Sequence, residues 1–279
     1  MKIGIIGAGQ IGGTLACRLA QLGHEVIVAN SRGPSSLVGL ANETGAKAVT
    51  VREAASAGQV VIVTIPEARI RDLPKSLFEG VPPDVVVIDT GNYYPRERDG
   101  RIDEIEAGMT ESRWVANQLG RPVVKAFNTM NYKKLLDLGR PPGLGRLALP
   151  VAGDDTRAKQ VVLRLVDELG FDGVDAGALD DSWRQQPGTP VYDNNFDSAG
   201  VRRALAEAAK GAPPAMAGIR EQSRRLRPIC VRSVVVCLGS PNRFGAPLEP
   251  QSNSKVWRRD GTYKRTRATL RVTAKCANT

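Results

Sequence analysis

The chain has 279 residues, 42% hydrophobic and 24% charged, the balance of an ordinary globular protein long enough to bury a sizeable core. Its formal charge of +10 is unevenly placed: from Arg224 onward there are 13 Lys+Arg against 2 Asp+Glu, leaving 26 against 27 before it. That excludes a nucleic-acid surface spread over the whole body, leaving only a basic tail as a polyanion contact, and no apolar run approaches the roughly 20 residues that cross a bilayer.

The first residues, MKIGIIGAG, make a poor signal peptide and a good first strand, KIGIIG at 2–7. A helix is predicted from Gln10 to Leu22, then a strand EVIVAN at 25–30, and a helix from Ser35 to Thr44 with Ser35 or Ser36 as N-cap. VVIVTIP at 60–66 and DVVVIDTGN at 84–92 are apolar without alternation, as strands covered on both faces are. PVVKAFNT at 122–129 reads as a further strand. Strands alternating with helices imply an α/β fold with a doubly wound, Rossmann-type parallel sheet. A second unit follows: strand LALPVAG at 147–153, capping residues DDT at 154–156, an apolar-striped helix to Leu169, and strand FDGVDAG at 171–177. A last helix runs from Ala199 to Ala209 before GAPP stops it. Beyond Ser223 the chain turns irregular and basic, with SVVVCLG at 233–239 as one candidate edge strand. The expected organisation is a dinucleotide-binding domain over 1–140, a smaller α/β acceptor or dimerisation region over 141–223, and an irregular tail over 224–279.

Gly7-Ala8-Gly9-Gln10-Ile11-Gly12 is a GxGxxG between a strand and a helix, the context that gives this common pattern a mechanism. Gly7 permits the tight turn, Gly9 lets backbone approach a pyrophosphate, and Gly12 lets the helix pack on the strand, with the helix N-terminus facing the phosphates. About 20 residues on, where NAD-type sites carry a ribose-binding carboxylate, stand Asn30, Ser31 and Arg32. A carboxylate would repel a 2′-phosphate; Ser31 can donate to one and Arg32 can pair with it and stack on adenine. The reading is an NADP(H) site. Thr64, Asn128 and Thr129, at the carboxyl ends of predicted strands, can orient a nicotinamide or an acceptor ring; strand-end capping is the alternative. Cys17, Cys230, Cys237, Cys276 and the single His24 lack metal spacing, so neither a zinc site nor a disulfide framework is expected, and the cytoplasm is the default compartment. His24 is read as a surface or packing residue, and Lys125 as structural or an anion contact.

GIIGAGQIGGTLACRLAQLGHEVIVANSR, VTIPE, IDTGNYY, VKAFNT and LPVAGDD…LVDELGFDGVDAG together resemble the NADPH-dependent reductases of the deazaflavin coenzyme F420. The NADPH-binding domain of the ferric-reductase membrane family is similar too. The resemblance covers about residues 1–210 and implies hydride transfer between NADPH and F420, in a homodimer. It implies that Ala8, Gly9, Gln10 and Ile11 hold the pyrophosphate and that Ser31 and Arg32 clamp the 2′-phosphate. Thr64, Ile65 and Pro66 then lie beside the ribose and nicotinamide, and Phe127, Asn128 and Thr129 line the cleft between nicotinamide and acceptor. Two loops can wall the acceptor: TGNYYPRERDGRI at 90–102, suited to an anionic aromatic such as FMN or else a solvated polar loop, and DDSWRQQPGTPVY at 180–192, with dimer contact or packing as its alternative. A soluble flavin or ferric reductase, and a non-catalytic NADPH sensor, are the alternatives. The tail from Arg224 departs from the family.

Overall fold

The structure, a computed structural model, describes residues 1–56, 58–209, 254–257 and 263–266. Its centre is a six-stranded parallel sheet of β1 (Lys2–Ile6), β2 (Glu25–Ala29), β3 (Lys47–Ala48), β4 (Val60–Val63), β5 (Val86–Asp89) and β6 (Val124–Lys125). Their order across the sheet is β3-β2-β1-β4-β5-β6, the doubly wound arrangement expected from the sequence. Because strand side chains alternate, each central strand feeds two cores. Ile3, Ile5, Val60, Ile62, Val86 and Ile88 enter one, while Ile6, Val61, Val63 and Val87 enter the other.

The first core is covered by α1 (Gln10–Gln21), and the second by α3 (Val51–Ala55) and α5 (Glu111–Leu119), whose Trp114 and Val115 are fully buried. The shorter helices α2 (Val38–Thr44), α4 (Asp103–Glu106) and α6 (Tyr132–Asp137) complete this part of the chain, α6 packing on α1. A second parallel pair, β7 (Ala148–Val151) and β8 (Asp172–Asp175), is flanked by α7 (Thr156–Glu168) and α8 (Ser198–Glu207). Lys125 and Ala152 exchange backbone hydrogen bonds of 2.8 and 3.1 Å, an antiparallel bridge at the end of β6. Leu149, Val151, Val162 and Leu165 join the same core as Ile3 and Ile62. The first of two compact units is Met1–Val231. In the second unit, Arg232–Thr279, the described residues are an antiparallel pair, β9 (Ser254–Trp257) and β10 (Tyr263–Thr266). The candidate strand 233–239 lies outside the described residues.

Several boundaries differ from the sequence expectation for local reasons. The strand predicted over 122–129 is only two residues long, because Phe127 turns the chain at φ 63°. The helix predicted from Ser35 opens with a 3-10 turn over Pro34–Leu37, and neither serine caps α2; Ser36 Oγ instead donates to the Gly33 carbonyl. Asp155 does cap α7, accepting from the amides of Arg157 and Ala158. Cys17 is disulfide-bonded, where the sequence reading expected no disulfide framework.

Candidate functional site

The glycine loop leaves β1 at the point where the sheet order reverses, with β4 beside it. Gly7 has φ 116°, and a Cβ there would lie 2.2 Å from the Thr64 carbonyl oxygen; one on Gly12 would lie 2.0 Å from the Gly7 oxygen and 2.7 Å from Thr64 Cγ2. Two of the three glycines are thus required by packing against the loop that follows β4. Gly9 is different: a Cβ there would meet nothing within 4 Å. That openness lies at the N-cap of α1, where no side chain caps the helix and no acidic residue occupies the first turn. The free N–H groups and partial positive charge suit an anion, and bare Gly9 leaves room for it to approach. Ala8, Gln10 and Ile11 complete this rim, partly or fully exposed.

At the end of β2, Asn30 is engaged internally: Oδ1 accepts from the Arg32 amide at 3.0 Å and Nδ2 donates to Ser36 Oγ at 2.9 Å. This turn presents Ser31 and Arg32 to solvent, and the Arg32 guanidinium has no partner among the described residues. Asn30 thereby shapes the turn, while the exposed pair remains available to a phosphate. The chain's own residues fit NADP(H): an uncapped helix N-terminus, an open glycine and an uncommitted cation at the ribose position.

Thr64, Ile65 and Pro66 run from β4 into a 3-10 turn over Glu67–Asp72, with Thr64 against the glycines and Ile65 packed on the second core. The carboxyl end of β6 is more enclosed than the sequence suggested. Phe127 is buried in the first core, and its left-handed backbone is an outlier for a bulky residue. Asn128 is buried and fully engaged: Nδ2 donates to Asn92 Oδ1 at 3.0 Å and the Gln185 carbonyl at 2.7 Å, and Oδ1 accepts from Gln185 Nε2 at 3.0 Å. Thr129 is buried too, its carbonyl accepting from the Asp193 amide at 2.9 Å. These ties hold residues 185–193 over the end of β6. They also bring together the two loops expected to wall an acceptor, because Tyr94 and Tyr192 share a hydrogen bond between their hydroxyls. The Arg98 guanidinium lies over the Tyr94 ring at 5.2 Å, and burial pushes both phenols above their ordinary range. Tyr93 instead braces the loop, accepting from the Ile102 amide and donating to Glu106. Arg101 pairs with Asp103 on the surface.

Beneath these loops lies a feature that motif reading missed. Lys125 is completely buried, donating to Asp89 Oδ2 at 2.9 Å and the Gly91 carbonyl at 2.7 Å, with Glu111 Oε2 at 3.9 Å. Ser112 Oγ adds a 2.7 Å bond to the same Asp89 oxygen. Burial lowers the Lys125 pKa, but the Asp89, Glu111 and Glu67 carboxylates raise it further, and the net shift is upward. The available signal was charge inside apolar strands: Asp89 and Lys125 each interrupt a run that is otherwise hydrophobic. His24 proves structural, with Nε2 2.8 Å from Glu168 Oε2. Among the described residues no His/Cys/Asp/Glu cluster can hold a metal ion, and no helix is long and apolar enough to cross a membrane.

Residues 2–93 match the family model described as NADP oxidoreductase, coenzyme F420-dependent. The chain is 47% identical to the Escherichia coli (strain K12) protein YjhV over 79 residues, which are 28% of this chain and 58% of that protein. It is 28% identical to the rat metalloreductase STEAP3 over 179 residues, 64% of this chain and 34% of that protein. It therefore spans 58% and 34% of the lengths of these two relatives. The crystal structure of the hypothetical protein SMa0349 from Sinorhizobium meliloti shares the fold with a TM-score of 0.61 at 33% identity, covering 70% of this chain and 95% of that one.

Proposed function

From the match of residues 2–93 to the model of coenzyme F420-dependent NADP oxidoreductases, we propose that the chain transfers a hydride between NADPH and a deazaflavin or flavin-type acceptor. The observation that carries the cofactor choice is Arg32, exposed and without a partner among the described residues, beside Ser31 where a 2′-hydroxyl reader would need a carboxylate. In this reading the amides at the start of α1 hold the pyrophosphate and Gly9 admits it. NADPH supplies the hydride; the protein's contribution is alignment and exclusion of water. Thr64 backs the glycine loop at the sheet's carboxyl edge, where the nicotinamide half would lie. Asn128 and Thr129 act as positioning residues, since their hydrogen bonds fix the 185–193 segment that carries Tyr192. Tyr94 and Tyr192, joined across the two loops, form the wall facing the acceptor, with the exposed Arg96 available to an anionic one such as coenzyme F420 or FMN. The protein would act in the cytoplasm as a homodimer.

The likeness to a metalloreductase supports a second reading, in which the electrons pass to free flavin or ferric ion. Anaerobic NADPH oxidation with coenzyme F420, FMN and ferric citrate offered separately decides between them. Turnover with F420 alone is the expected result. Turnover only with FMN or ferric citrate would favour the metalloreductase-like reading, and tight NADPH binding with no turnover would point to a non-catalytic sensor.

A further inference from the structure

The buried cluster under the carboxyl edge has more acid than base. Glu67 enters it from the 3-10 turn after β4, Asp89 from the end of β5, Lys125 from β6 and Glu111 from the first turn of α5, all of them buried. The approach is close enough that a Cβ on Gly91 would lie 2.5 Å from Glu67 Oε1 and 3.1 Å from Asp89 Oδ1. The next carboxylate, Asp99, is neutralised locally by Arg98 at 2.8 Å and by the amides of Ala68 and Tyr94. That leaves one ammonium for three carboxyl groups.

Hydrogen bonding shows which acid Lys125 serves. Asp89 accepts from Lys125, Ser112 and the Gly91 amide, whereas both Glu67 oxygens and Glu111 Oε2 lack any hydrogen-bond partner. Three carboxyl groups around one lysine cannot all stay ionised in a dry interior, so the cluster must hold protons. Glu67 is pushed well above the usual carboxylate range by burial and then by Asp89. Glu111 is raised by burial to about 7, despite Lys125 and the Tyr93 amide, both of which favour its charged form. The charged or titratable groups around Glu111 are Lys125, Asp89, Glu67, Asp99, Tyr94 and Tyr192. Only Lys125 among these is cationic, and it is committed to Asp89.

The ends of β4, β5 and β6 are where the nicotinamide half of a dinucleotide lies in a doubly wound sheet, once the adenosine half is placed at β2 and the pyrophosphate at α1. That half of the cofactor changes charge with redox state: its ring is cationic in NADP+ and neutral in NADPH. We propose that Glu111, within the Glu67–Asp89–Lys125 cluster, makes the protein discriminate oxidised from reduced cofactor by proton occupancy. Ionised Glu111 would add a buried negative charge under the carboxyl edge of the sheet and favour NADP+; protonated Glu111 would remove it and favour NADPH. Replacing bound NADPH by NADP+ therefore releases a fraction of a proton near neutral pH. This rests on the NADP(H) reading and not on the identity of the acceptor.

The test is the ratio of dissociation constants, Kd(NADP+)/Kd(NADPH), measured at pH 6 and pH 8 by NADPH fluorescence and by competition. Titration of the shared 2′-phosphate cancels in this ratio. The ratio is expected to fall by about three- to tenfold on going to pH 8, the size of a pKa difference of up to about one unit between the two complexes. Glu111→Gln should abolish that change, and Glu67→Gln, which mimics an acid already protonated, should keep it. Proton release on exchanging NADPH for NADP+ in weakly buffered wild-type protein provides a readout that needs no variant. A pH-independent ratio with both nucleotides bound tightly, an unchanged slope in Glu111→Gln, or no proton release would overturn the proposal and leave the cofactor reading standing. Failure to bind either nucleotide would overturn both.

Discussion

Single residues carry most of the cofactor argument, and the two kinds of glycine in the loop separate cleanly. Gly9 has space where Gly12 has none. Gly9→Ala is accordingly expected to keep the melting temperature of the wild type while weakening NADPH binding, because the added methyl fills the approach to α1. Gly12→Ala should lower the melting temperature as well, since its Cβ would collide with the Gly7 carbonyl. Thermal denaturation with and without NADPH distinguishes the two; equal destabilisation by both would mean that Gly9 is a packing glycine like its neighbours. At the ribose end, Arg32→Ala should weaken NADPH binding by about 10- to 100-fold, as for loss of a charged hydrogen bond, and leave NADH nearly unchanged. Parallel titrations with the two nucleotides check this, and equal losses would refute the 2′-phosphate role.

At the scale of elements, the short β6 holds the carboxyl edge together. Its two residues pair with β5, its Lys125 ties Asp89 at the end of that strand and Gly91 just beyond it, and the turn at Phe127 directs Asn128 towards Gln185. Lys125→Met should be destabilising by about 3–5 kcal/mol in chemical denaturation, because it leaves buried carboxylates without their cation. A loss below 1 kcal/mol would mean that the acids simply take up protons in its absence. Much of the fold's outline was legible at this scale. The apolar runs at 2–7, 25–30, 60–66 and 84–92 are strands because β-branched residues packed on both faces suit a parallel sheet. Even α3, which went unpredicted, has its signature in Thr50-Val51-Arg52-Glu53: Thr50 accepts from the Glu53 amide and Glu53 accepts from that of Thr50, a reciprocal cap. The shortening of the 122–129 strand was not legible, because nothing in Phe127 itself calls for a positive φ.

For the molecule as a whole, the raised acids make stability depend on pH. A carboxyl group whose folded pKa lies above its unfolded value binds more protons in the folded state. Its contribution is fully present below the unfolded value, near 4.5, and is lost as pH rises through the folded one. For Glu111 that window runs from about 4.5 to about 7, and Glu67 shifts in the same direction. Apparent stability should fall by roughly 1–3 kcal/mol across it, from this group alone. Urea denaturation of wild type and Glu111→Gln at pH 5, 6 and 7.5 would show the variant with the shallower dependence; parallel curves would assign the pH effect elsewhere.

Local sequence was sufficient for whatever depends on neighbouring residues. The glycine loop between strand and helix, the missing carboxylate at Asn30-Ser31-Arg32, the Asp155 cap and the parallel strand runs are all set by residue types a few positions apart. The tertiary structure decided whatever depends on residues far apart in the chain. It drew Tyr94 to Tyr192, engaged Asn128 with Asn92 and Gln185, and gathered Glu67, Asp89, Glu111 and Lys125 into one dry cluster. The physical reason is that a carboxyl group's protonation and an amide's freedom depend on burial and on what faces them, and chain order records neither.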